Sequence, residues 1–572
     1  MGIRESDHLN TTGLSLSGSR AQREGSRWLK MGIVCAATVI LVLQIRFIGD
    51  WRVDDAYITF SYSKNLASGN GPVYGYDLRV EGYSNLLWMV LLALPMAIFP
   101  DGDPTWIARV VTLPFLILMG VTTYRFIRRR APPWRTAVMV LVLAFWTDLT
   151  LAALSGLETV PHAALLGASL LLYTSRDWRT RRWTWVVCLA VGLMRIDGFV
   201  QIGVLVGWDL LLCPKERRLI SRRGVWWFIT PVLIYLVYFA LRWAYYGLPL
   251  PLTYYAKTMA ETGDRLWGYR YLWLNLRIVG LLVVMPVAAI ALIRKPRADV
   301  LLLWLLFLAQ CIYAVVVGGD WMPFARLLLP VVPLIIVAFA WGNEELVGFV
   351  RDHQSLAFLS FGGRAGRTIL AYALPVAMTV LVVVHLDSHI VASPLEAMKI
   401  DLAEEQKRHV RKNLYTNRYM FQQILRAPGQ TLVTDYGGMV AYYTNARIIE
   451  MWGLCNREIA LRGNTDGINP IYGKTCIDCY VEFDPDYFHV RQPLARPPDA
   501  FDNHQDVIDE VFQGAALDRV LDLRRNFVTG RVIDENRNLA LFFLERVRPG
   551  VTFESRRPAI GFRVDYPFLD VR

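Results

Sequence analysis

The sequence predicts a helical polytopic membrane protein of about eleven transmembrane helices, followed by a C-terminal α/β domain outside the membrane. Three observations predict this fold class. Of the 572 residues, 54% are hydrophobic and only 19% are charged, whereas about a quarter of the residues are charged in an average soluble protein. Apolar runs, many of them near the ~20 residues needed to cross a bilayer, alternate with short basic segments. After about residue 387 these runs stop, and charges become frequent. Short alternating segments typical of strands appear there, such as Gln430–Thr434 and Leu539–Glu545.

The net charge of +12, from 61 Lys and Arg against 49 Asp and Glu, has two interpretations. In a soluble protein it would suggest a nucleic-acid partner, whereas in a membrane protein it indicates cytoplasmic loops. The basic residues lie in short segments beside apolar runs, so we predict a lipid bilayer as the environment and no nucleic acid as a partner. The strongest clusters lie within residues 125–135, 176–182, 215–223, 294–297 and 351–367.

Placing these clusters on the cytoplasmic side predicts the topology. Residues 1–30 form a disordered cytoplasmic tail, residues 31–386 a membrane domain and residues 387–572 an extracytoplasmic domain. The run Met31–Ile48 lacks a small-residue cleavage site, which predicts an anchor rather than a cleaved signal peptide. The predicted spans are 31–49, 105–127, 136–154, 159–174, 183–195, 198–213, 224–244, 271–293, 298–317, 327–341 and 367–386.

One apolar stretch does not fit this topology. Leu86–Phe99 has fourteen residues with Pro95 among them, and a crossing there would place Arg128–Arg130 outside. Stretches of 10–14 apolar residues are more often interfacial or re-entrant. We therefore expect an interfacial helix on the outer face, within a first outer loop over residues 50–104.

The outer loops gather isolated charged and aromatic residues beside the spans. Charged residues at membrane depth are functional hypotheses by default, and their convergence on one face favours a site over scattered anchors. The candidate residues are Asp54, Asp55, Arg79, Glu81, Glu158, Arg195, Asp197, Tyr254, Tyr255, Lys257, Asp320, Trp321 and Arg326.

The acidic candidates also have structural interpretations. Asp54 and Asp55 could cap the helix that follows them, although one carboxylate would suffice. The second would then be available to orient an acceptor hydroxyl or to act as a base. Arg195 and Asp197 could simply pair and stabilise a broken helix.

The aromatic and basic candidates also have both a structural and a functional interpretation. Tyr254, Tyr255 and Trp321 are either interfacial aromatics or a sugar-stacking surface. Lys257 and Arg326 are either surface cations or ligands of a phosphate leaving group, which Arg can bind through two parallel hydrogen bonds.

Other motifs restrict the classes of function and cofactor. No phosphate-binding loop is found, which argues against a nucleotide-driven transporter. Cys476 and Cys479 predict a small local disulfide rather than a zinc site, with Cys455 as an alternative partner. No spacing indicates a metal site, and a divalent cation near Asp54 and Asp55 is left open.

Several longer motifs occur in a fixed order along the chain. The first outer loop contains Asp54-Asp55-Ala-Tyr-Ile-Thr-Phe, Asn65-Leu-Ala-Ser-Gly-Asn-Gly71 and Val80-Glu81-Gly82-Tyr83-Ser84-Asn85-Leu86-Leu87-Trp88. Further motifs follow at residues 156–159, 195–198, 246–257, 318–326 and 442–460. Together they resemble polytopic glycosyltransferases of the GT-C class, and more narrowly the mycobacterial terminal arabinofuranosyltransferase family and related bacterial glycosyltransferases.

This resemblance implies a function and a location. It implies a polyprenyl-phosphate sugar donor, a glycan or glycoconjugate acceptor of the cell envelope, and a site on the outer, periplasmic face of a bacterial inner membrane. Arabinofuranose is the sugar it suggests. With the outer-face charges it suggests that Asp55 activates the acceptor while Asp54 assists, and that the interfacial helix shapes the donor entry. The remaining roles are phosphate binding by Lys257, Arg326 and Arg79, and positioning of sugars or cations by Glu81, Glu158, Asp197 and Asp320.

Two alternatives use similar substrates. A transporter or flippase of lipid-linked sugars would typically show internal repeats and coupling residues near the midplane of the bilayer. The sequence has neither sign, and its polar residues gather at one face. A polymerase or ligase of surface polysaccharide would share the lipid-linked chemistry and differ in its acceptor.

Overall fold

The computed structural model has a helical part up to residue 352 and a seven-stranded sheet in the C-terminal part. It describes residues 31–46, 48–75, 78–258, 265–278, 280–320, 322, 325–352, 373, 377, 420–463, 474, 476–489, 499–502, 506–507, 526–536, 539–560 and 562–567. The predicted tail 1–30, the candidate Trp321 and, apart from residues 373 and 377, the predicted span 367–386 lie outside these residues.

The helical part follows the predicted apolar runs closely. Its helices are α1 (Met31–Arg46), α2 (Asp54–Ala67), α3 (Leu86–Ile98), α4 (Pro104–Ile127), α5 (Pro133–Ala144), α6 (Thr147–Leu154), α7 (Thr159–Tyr173), α8 (Trp178–Arg181), α9 (Thr184–Met194), α10 (Gly198–Gly207), α11 (Val225–Tyr246), α12 (Leu252–Thr258), α13 (Arg265–Ile278), α14 (Leu281–Arg294), α15 (Ala298–Val316) and α16 (Val332–Asp352). The stretch expected to form a short interfacial helix is helical as α3.

The fold is of a helical membrane type, but the count of about eleven spans is not confirmed. Among the described residues, four helices are long and apolar enough to cross a membrane, and up to six if each of two bent pairs counts as one span. Several predicted spans, such as α7, are too short for this criterion. The predicted span 271–293 consists of two helices bent by 81°, with Gly280 in the left-handed region at the break. Glycine adopts that conformation without steric cost.

The helices pack around one large apolar core, in which Trp146, Phe307 and Trp341 are fully buried. The close contact between α14 and α16 requires a glycine, because a Cβ added at Gly342 would lie only 1.9 Å from the carbonyl oxygen of Val287. By contrast, α11 exposes large apolar side chains along most of its length. Such exposure suits a helix that faces lipid.

The C-terminal domain is built on a mixed sheet with the strand order β2-β1-β3-β5-β4-β7-β6. β1 is parallel to β2 and β3, and the remaining neighbours are antiparallel. The strands predicted over Gln430–Thr434 and Leu539–Glu545 are confirmed as β1 and β5, and Cys476 and Cys479 form the predicted disulfide. The strands are β1 (Thr431–Thr434), β2 (Arg447–Glu450), β3 (Tyr487–His489), β4 (Phe527–Asp534), β5 (Leu539–Arg546), β6 (Arg556–Ala559) and β7 (Phe562–Asp565). Three short helices accompany them, α17 (Met439–Tyr443), α18 (Arg457–Arg462) and α19 (Ile477–Glu482).

The contact between α14 and α16 gives a first prediction. Gly342→Ala should lower the free energy of unfolding by about 1–3 kcal/mol, the usual cost of overpacking, because the added methyl group meets backbone. The measurement is thermal unfolding of the purified protein in detergent. Gly348→Ala on the same helix is the matched control, since a Cβ there meets nothing within 4 Å. Equal melting temperatures for the two variants would contradict the packing described.

Candidate functional site

The guanidinium group of Arg326 joins carboxylates from three separate segments of the chain. Its Nη2 lies 3.2 Å from Glu158 Oε1, and its Nη1 lies 3.6 Å from Asp320 Oδ2 and 3.9 Å from Asp55 Oδ2. Asp55 lies in the first turn of α2, Glu158 directly precedes α7, and Asp320 follows α15. The ends of three helices thus bring these predicted candidates together.

A second guanidinium group extends this cluster into the protein. Arg195 Nη1 lies 3.2 Å from the same Glu158 Oε1 that Arg326 contacts. Its Nε and Nη2 donate to the two carboxylate oxygens of Asp197 at 2.8 and 3.2 Å. The pairing considered as a stabiliser of a broken helix is therefore present, between α9 and α10. It is also continuous with the group around Arg326.

Two further polar residues of the cluster were not among the candidates. Asn85 donates to Glu158 Oε2 at 2.7 Å, and Gln310 donates to Asp197 Oδ2 at 3.1 Å. Gln310 is a lone amide in the apolar run of α15, so the principle applied to charged residues at membrane depth would have found it. Asn85 lay inside a motif without being singled out.

The burial of the cluster separates its interior from its surface. The side chains of Asp197 and Glu158 are 1% and 3% exposed, whereas those of Asp55 and Arg326 are each 20% exposed. The contact between these last two is also the longest in the cluster. The named groups are four carboxylates (Asp55, Glu158, Asp197, Asp320) and two guanidinium groups (Arg195, Arg326), a formal surplus of two negative charges. A ligand entering from solvent would first meet Asp55 and Arg326.

Asp54 points away from this cluster and towards the C-terminal domain. Its carboxylate oxygens accept hydrogen bonds from the backbone N–H groups of Gly438 at 2.9 Å and Met439 at 2.7 Å, at the start of α17. The approach is so close that a Cβ at Gly438 would lie 1.8 Å from the carbonyl oxygen of Asp54. Burial raises the pKa of Asp54 to about 7, and these hydrogen bonds oppose the rise. The adjacent carboxylates of α2 therefore have different surroundings.

Glu450, at the end of β2, is a second buried carboxylate of the C-terminal domain near this joint. It accepts hydrogen bonds from the N–H groups of Trp452, Leu454 and Cys455 at 2.8, 2.7 and 3.2 Å. Burial raises its pKa to about 7, and the negative charge of Asp55 adds to the rise. The loop that follows β2 is thus shaped by a carboxylate within electrostatic reach of the candidate site.

Glu81 does not join the cluster around Arg326. It pairs with Arg242, whose Nε lies 2.9 Å from Glu81 Oε2 and whose Nη2 donates to the carbonyl oxygen of Pro249 at 2.7 Å. This pair fastens the segment between α2 and α3 to the turn after α11. Burial raises the pKa of Glu81 to about 7 even though Arg242 opposes the rise. Arg242 was not among the candidates, although a lone charge inside a predicted span is the signal that could have identified it.

The remaining candidates lie around the end of α11 and on α12. Arg79 is exposed, and its guanidinium carbon lies 5.6 Å from the ring centroid of Tyr245. Tyr254 and Tyr255 meet edge to face with centroids 5.6 Å apart. Lys257 is half-buried and has no hydrogen-bond or ion-pair partner among the described residues. α12 packs against α18 of the C-terminal domain.

The described residues around Asp54 and Asp55 do not form a set of ligands for a divalent cation. The described residues contain no group of three or more His, Cys, Asp or Glu side chains arranged to hold a metal ion. The carboxylate oxygens of Asp54 accept hydrogen bonds from backbone N–H groups, and Asp55 faces Arg326. The carboxylates of α2 are thus engaged with protein donors.

The chain is similar in sequence to one curated glycosyltransferase and matches one family of unknown function. The chain is 26% identical over 365 residues to the terminal β-(1→2)-arabinofuranosyltransferase of Corynebacterium glutamicum, a match that covers 52% of this chain and 50% of the relative. The chain thus spans about half the length of this curated relative. A family described as "Domain of unknown function (DUF8728)" matches residues 404–531.

Solved structures agree in fold. ArnT from Cupriavidus metallidurans in the apo state has a TM-score of 0.53 at 14% identity, covering 82% of this chain and 94% of that one. The same protein bound to undecaprenyl phosphate has a TM-score of 0.52 at 14% identity, covering 81% and 93%. The resemblance to GT-C class glycosyltransferases is confirmed. At this identity the solved structures support the fold, and the roles of individual residues stay predictions.

The raised pKa of Asp54 predicts the direction in which the free energy of unfolding changes with pH. The pKa of Asp54 is about 7 in the folded chain against ~3.9 in an unfolded one. Between these values the folded state holds the proton more tightly, so the free energy of unfolding should fall as the pH rises from about 4 to about 7. The difference of roughly three pKa units corresponds to a loss of about 4 kcal/mol above pH 7.

The measurement compares the melting temperatures of the wild type and Asp54→Asn in detergent from pH 5 to 8. The asparagine cannot titrate, so the wild type should lose stability relative to the variant as the pH rises. A constant offset from the altered hydrogen bonds does not affect this slope. Glu554→Gln, at an exposed position, is the control. A pH-independent difference between wild type and Asp54→Asn would contradict the burial of this carboxylate.

Proposed function

We propose that this chain is a membrane glycosyltransferase that transfers a sugar from a polyprenyl-phosphate donor to a glycan or glycoconjugate of the cell envelope, on the outer face of a bacterial inner membrane. The observation that carries the proposal is the Arg326 cluster, in which four carboxylates and two guanidinium groups meet at helix ends. The name of the Corynebacterium relative supports sugar transfer and makes arabinofuranose the first sugar to test. The undecaprenyl phosphate bound to ArnT supports a lipid-phosphate donor.

Asp55 is the group proposed to act on the acceptor. With Arg326 it forms the most exposed part of the cluster, so an acceptor hydroxyl can reach its carboxylate. The carboxylate accepts a hydrogen bond from this hydroxyl and takes its proton as the oxygen bonds to the anomeric carbon. The bond between that carbon and the phosphate oxygen breaks, and the lipid phosphate leaves.

The leaving phosphate requires positive charge that the cluster alone does not provide. The cluster carries a surplus of two negative charges, and both guanidinium groups already face carboxylates. Lys257, which has no described partner, and the exposed Arg79 are the proposed additional phosphate ligands beside Arg326. Phosphate oxygens favour such charge-assisted hydrogen bonds.

The buried members of the cluster are proposed to position Arg326 and the substrates. Glu158 contacts both guanidinium groups, and Asp197 holds Arg195 through two hydrogen bonds. Such a network fixes the side chains before the substrates bind, which is how sites gain from electrostatic preorganisation. Asp54, through α17, holds the C-terminal domain beside Asp55.

Replacing Asp55 tests the proposed function directly. Asp55→Asn should lower kcat by about 10²–10⁴-fold, the usual contribution of a general base, because the amide cannot take the proton. The assay uses purified full-length protein in vesicles with polyprenyl-phosphate arabinofuranose and an arabinofuranosyl oligosaccharide acceptor. Glu554→Gln should transfer at the wild-type rate. Unchanged transfer by Asp55→Asn would remove Asp55 from the mechanism, and absence of transfer by the wild type would reject this donor.

The phosphate role of Lys257 predicts a separate kinetic effect. Lys257→Met should raise KM for the lipid donor about fivefold to tenfold and leave KM for the acceptor unchanged, because one charge-assisted hydrogen bond is lost. Lys295→Met is the matched control, since Lys295 is an exposed lysine that pairs with Glu345 at 2.9 Å. Equal donor KM values for the two variants would show that Lys257 does not bind the phosphate.

A further inference from the structure

A cavity of about 180 Å³ lies at the junction of α2, the loop before α4 and the C-terminal domain. Its lining includes Lys64, Asp101, Gly102, Asp103, Tyr442 and Tyr443. We propose that this cavity binds one sugar residue of a glycan, separately from the Arg326 cluster. The identity of that glycan as the acceptor rests on the proposed function, whereas the saccharide site itself rests on the cavity.

The chemistry of the lining suits a neutral polyol. A sugar ring presents a C–H face that packs against aromatic rings, here that of the partly exposed Tyr443, and hydroxyls that need donors and acceptors. The Lys64 ammonium can donate and the Asp101 carboxylate can accept. The charge of Asp103 is offset by Arg52, whose Nη1 lies 2.7 Å from Asp103 Oδ2. With one ammonium against the other carboxylate, the cavity favours neither a phosphate nor a cation.

The walls of the cavity are held in place by contacts within the protein. Lys64 Nζ donates to the carbonyl oxygen of Tyr442 at 3.1 Å and lies 4.9 Å from the centroid of its ring. Asp103 Oδ1 accepts from the N–H groups of Thr105 and Trp106 at the start of α4. Binding groups fixed in this way lose little freedom when a ligand arrives. Asp101 is exposed and marks the solvent side of the cavity.

The size of the cavity indicates a single ring. Its volume far exceeds the ~10–15 Å³ that one water molecule needs, and it is below the ~300–1,000 Å³ of pockets that enclose a whole drug-sized ligand. One sugar residue, with the rest of a chain extending into solvent past Asp101, fits between these limits.

If Asp55 is the reacting group, as proposed, the sugar bound in the cavity is not the one that reacts. Asp55 and Lys64 are nine residues apart on α2, which separates them by about 13.5 Å along the helix axis and places them on opposite faces. A glycan held there is anchored at a distance from the reacting hydroxyl. The cavity should therefore affect the affinity for long acceptors and not the rate of the chemical step.

The first experiment measures binding without transfer. Saturation-transfer NMR on the purified full chain in detergent, with arabinofuranosyl and mannosyl oligosaccharides of one to six residues, should detect binding to the wild type and to Asp55→Asn. Asp101→Ala and Lys64→Met should weaken it about fivefold each, the effect of one lost hydrogen bond. Glu554→Ala is the control for an exposed acid. Absence of oligosaccharide binding, or binding unchanged in both cavity variants, would overturn the proposed saccharide site. This outcome does not depend on whether the proposed transfer reaction is right.

The second experiment uses transfer. If the proposed function holds, Asp101→Ala should raise KM for a hexasaccharide acceptor about fivefold, and leave kcat and the KM for a monosaccharide acceptor unchanged. Asp101 is exposed, so this variant is expected to fold. A change in kcat, or an equal rise of KM for both acceptors, would assign Asp101 to the reacting site instead and overturn the separate cavity.

Discussion

The buried carboxylate of Glu158 is the contact on which the candidate site depends. Its Oε1 faces both Arg195 and Arg326, and its Oε2 accepts a hydrogen bond from Asn85. These partners come from the break between α9 and α10, from the loop before α16 and from the residue directly before α3. With only 3% of its side chain exposed, Glu158 without its guanidinium partners would be an uncompensated buried charge, and breaking such a pair typically costs ~3–5 kcal/mol. The loops and the charges therefore stabilise each other.

The start of α2 joins the two parts of the molecule. Adjacent residues of a helix project about 100° apart, so Asp54 and Asp55 necessarily face different surroundings. Asp54 accepts hydrogen bonds from the backbone N–H groups at the start of α17, and Asp55 faces Arg326. A displacement of the C-terminal domain would act on Asp54, and through one peptide unit on Asp55. The docking of this domain is thus coupled directly to the geometry of the proposed reacting group.

Much of the site could be predicted from the sequence, because a charged residue beside an apolar run is conspicuous. Asp55, Glu158, Arg195, Asp197, Asp320 and Arg326 were singled out on that ground, and the structure brings these six together. The partner of Asp54 could not be predicted, since Gly438 contributes only a backbone N–H from 384 residues away. The pairing of Glu81 with Arg242 was hidden for a related reason, because the sequence does not show which loop receives a charge within a span.

The helical pattern was predicted more accurately than its relation to a membrane. Apolar runs correctly predicted α4, α7, α11 and α15, because periodicity and length determine where helices form. Composition alone does not show whether a short apolar helix crosses a membrane. This holds for α7, whose apolar residues pack in the core and whose crossing stays a prediction. The bend between α13 and α14 depends on the left-handed conformation of Gly280, a single residue inside a continuous apolar run.

The distribution of charge suggests how two substrates would be kept apart. The Arg326 cluster has two surplus negative charges, so it would repel a phosphate that approached without further cations. The same surplus favours a hydroxyl, which brings no charge and can donate to Asp55. Lys257 and Arg79 lie on other segments and have no described carboxylate partner. A donor phosphate bound by those cations and an acceptor hydroxyl bound by Asp55 would then occupy different sides of the site. Arg326, which contacts carboxylates yet is one-fifth exposed, is the residue where the two sides meet.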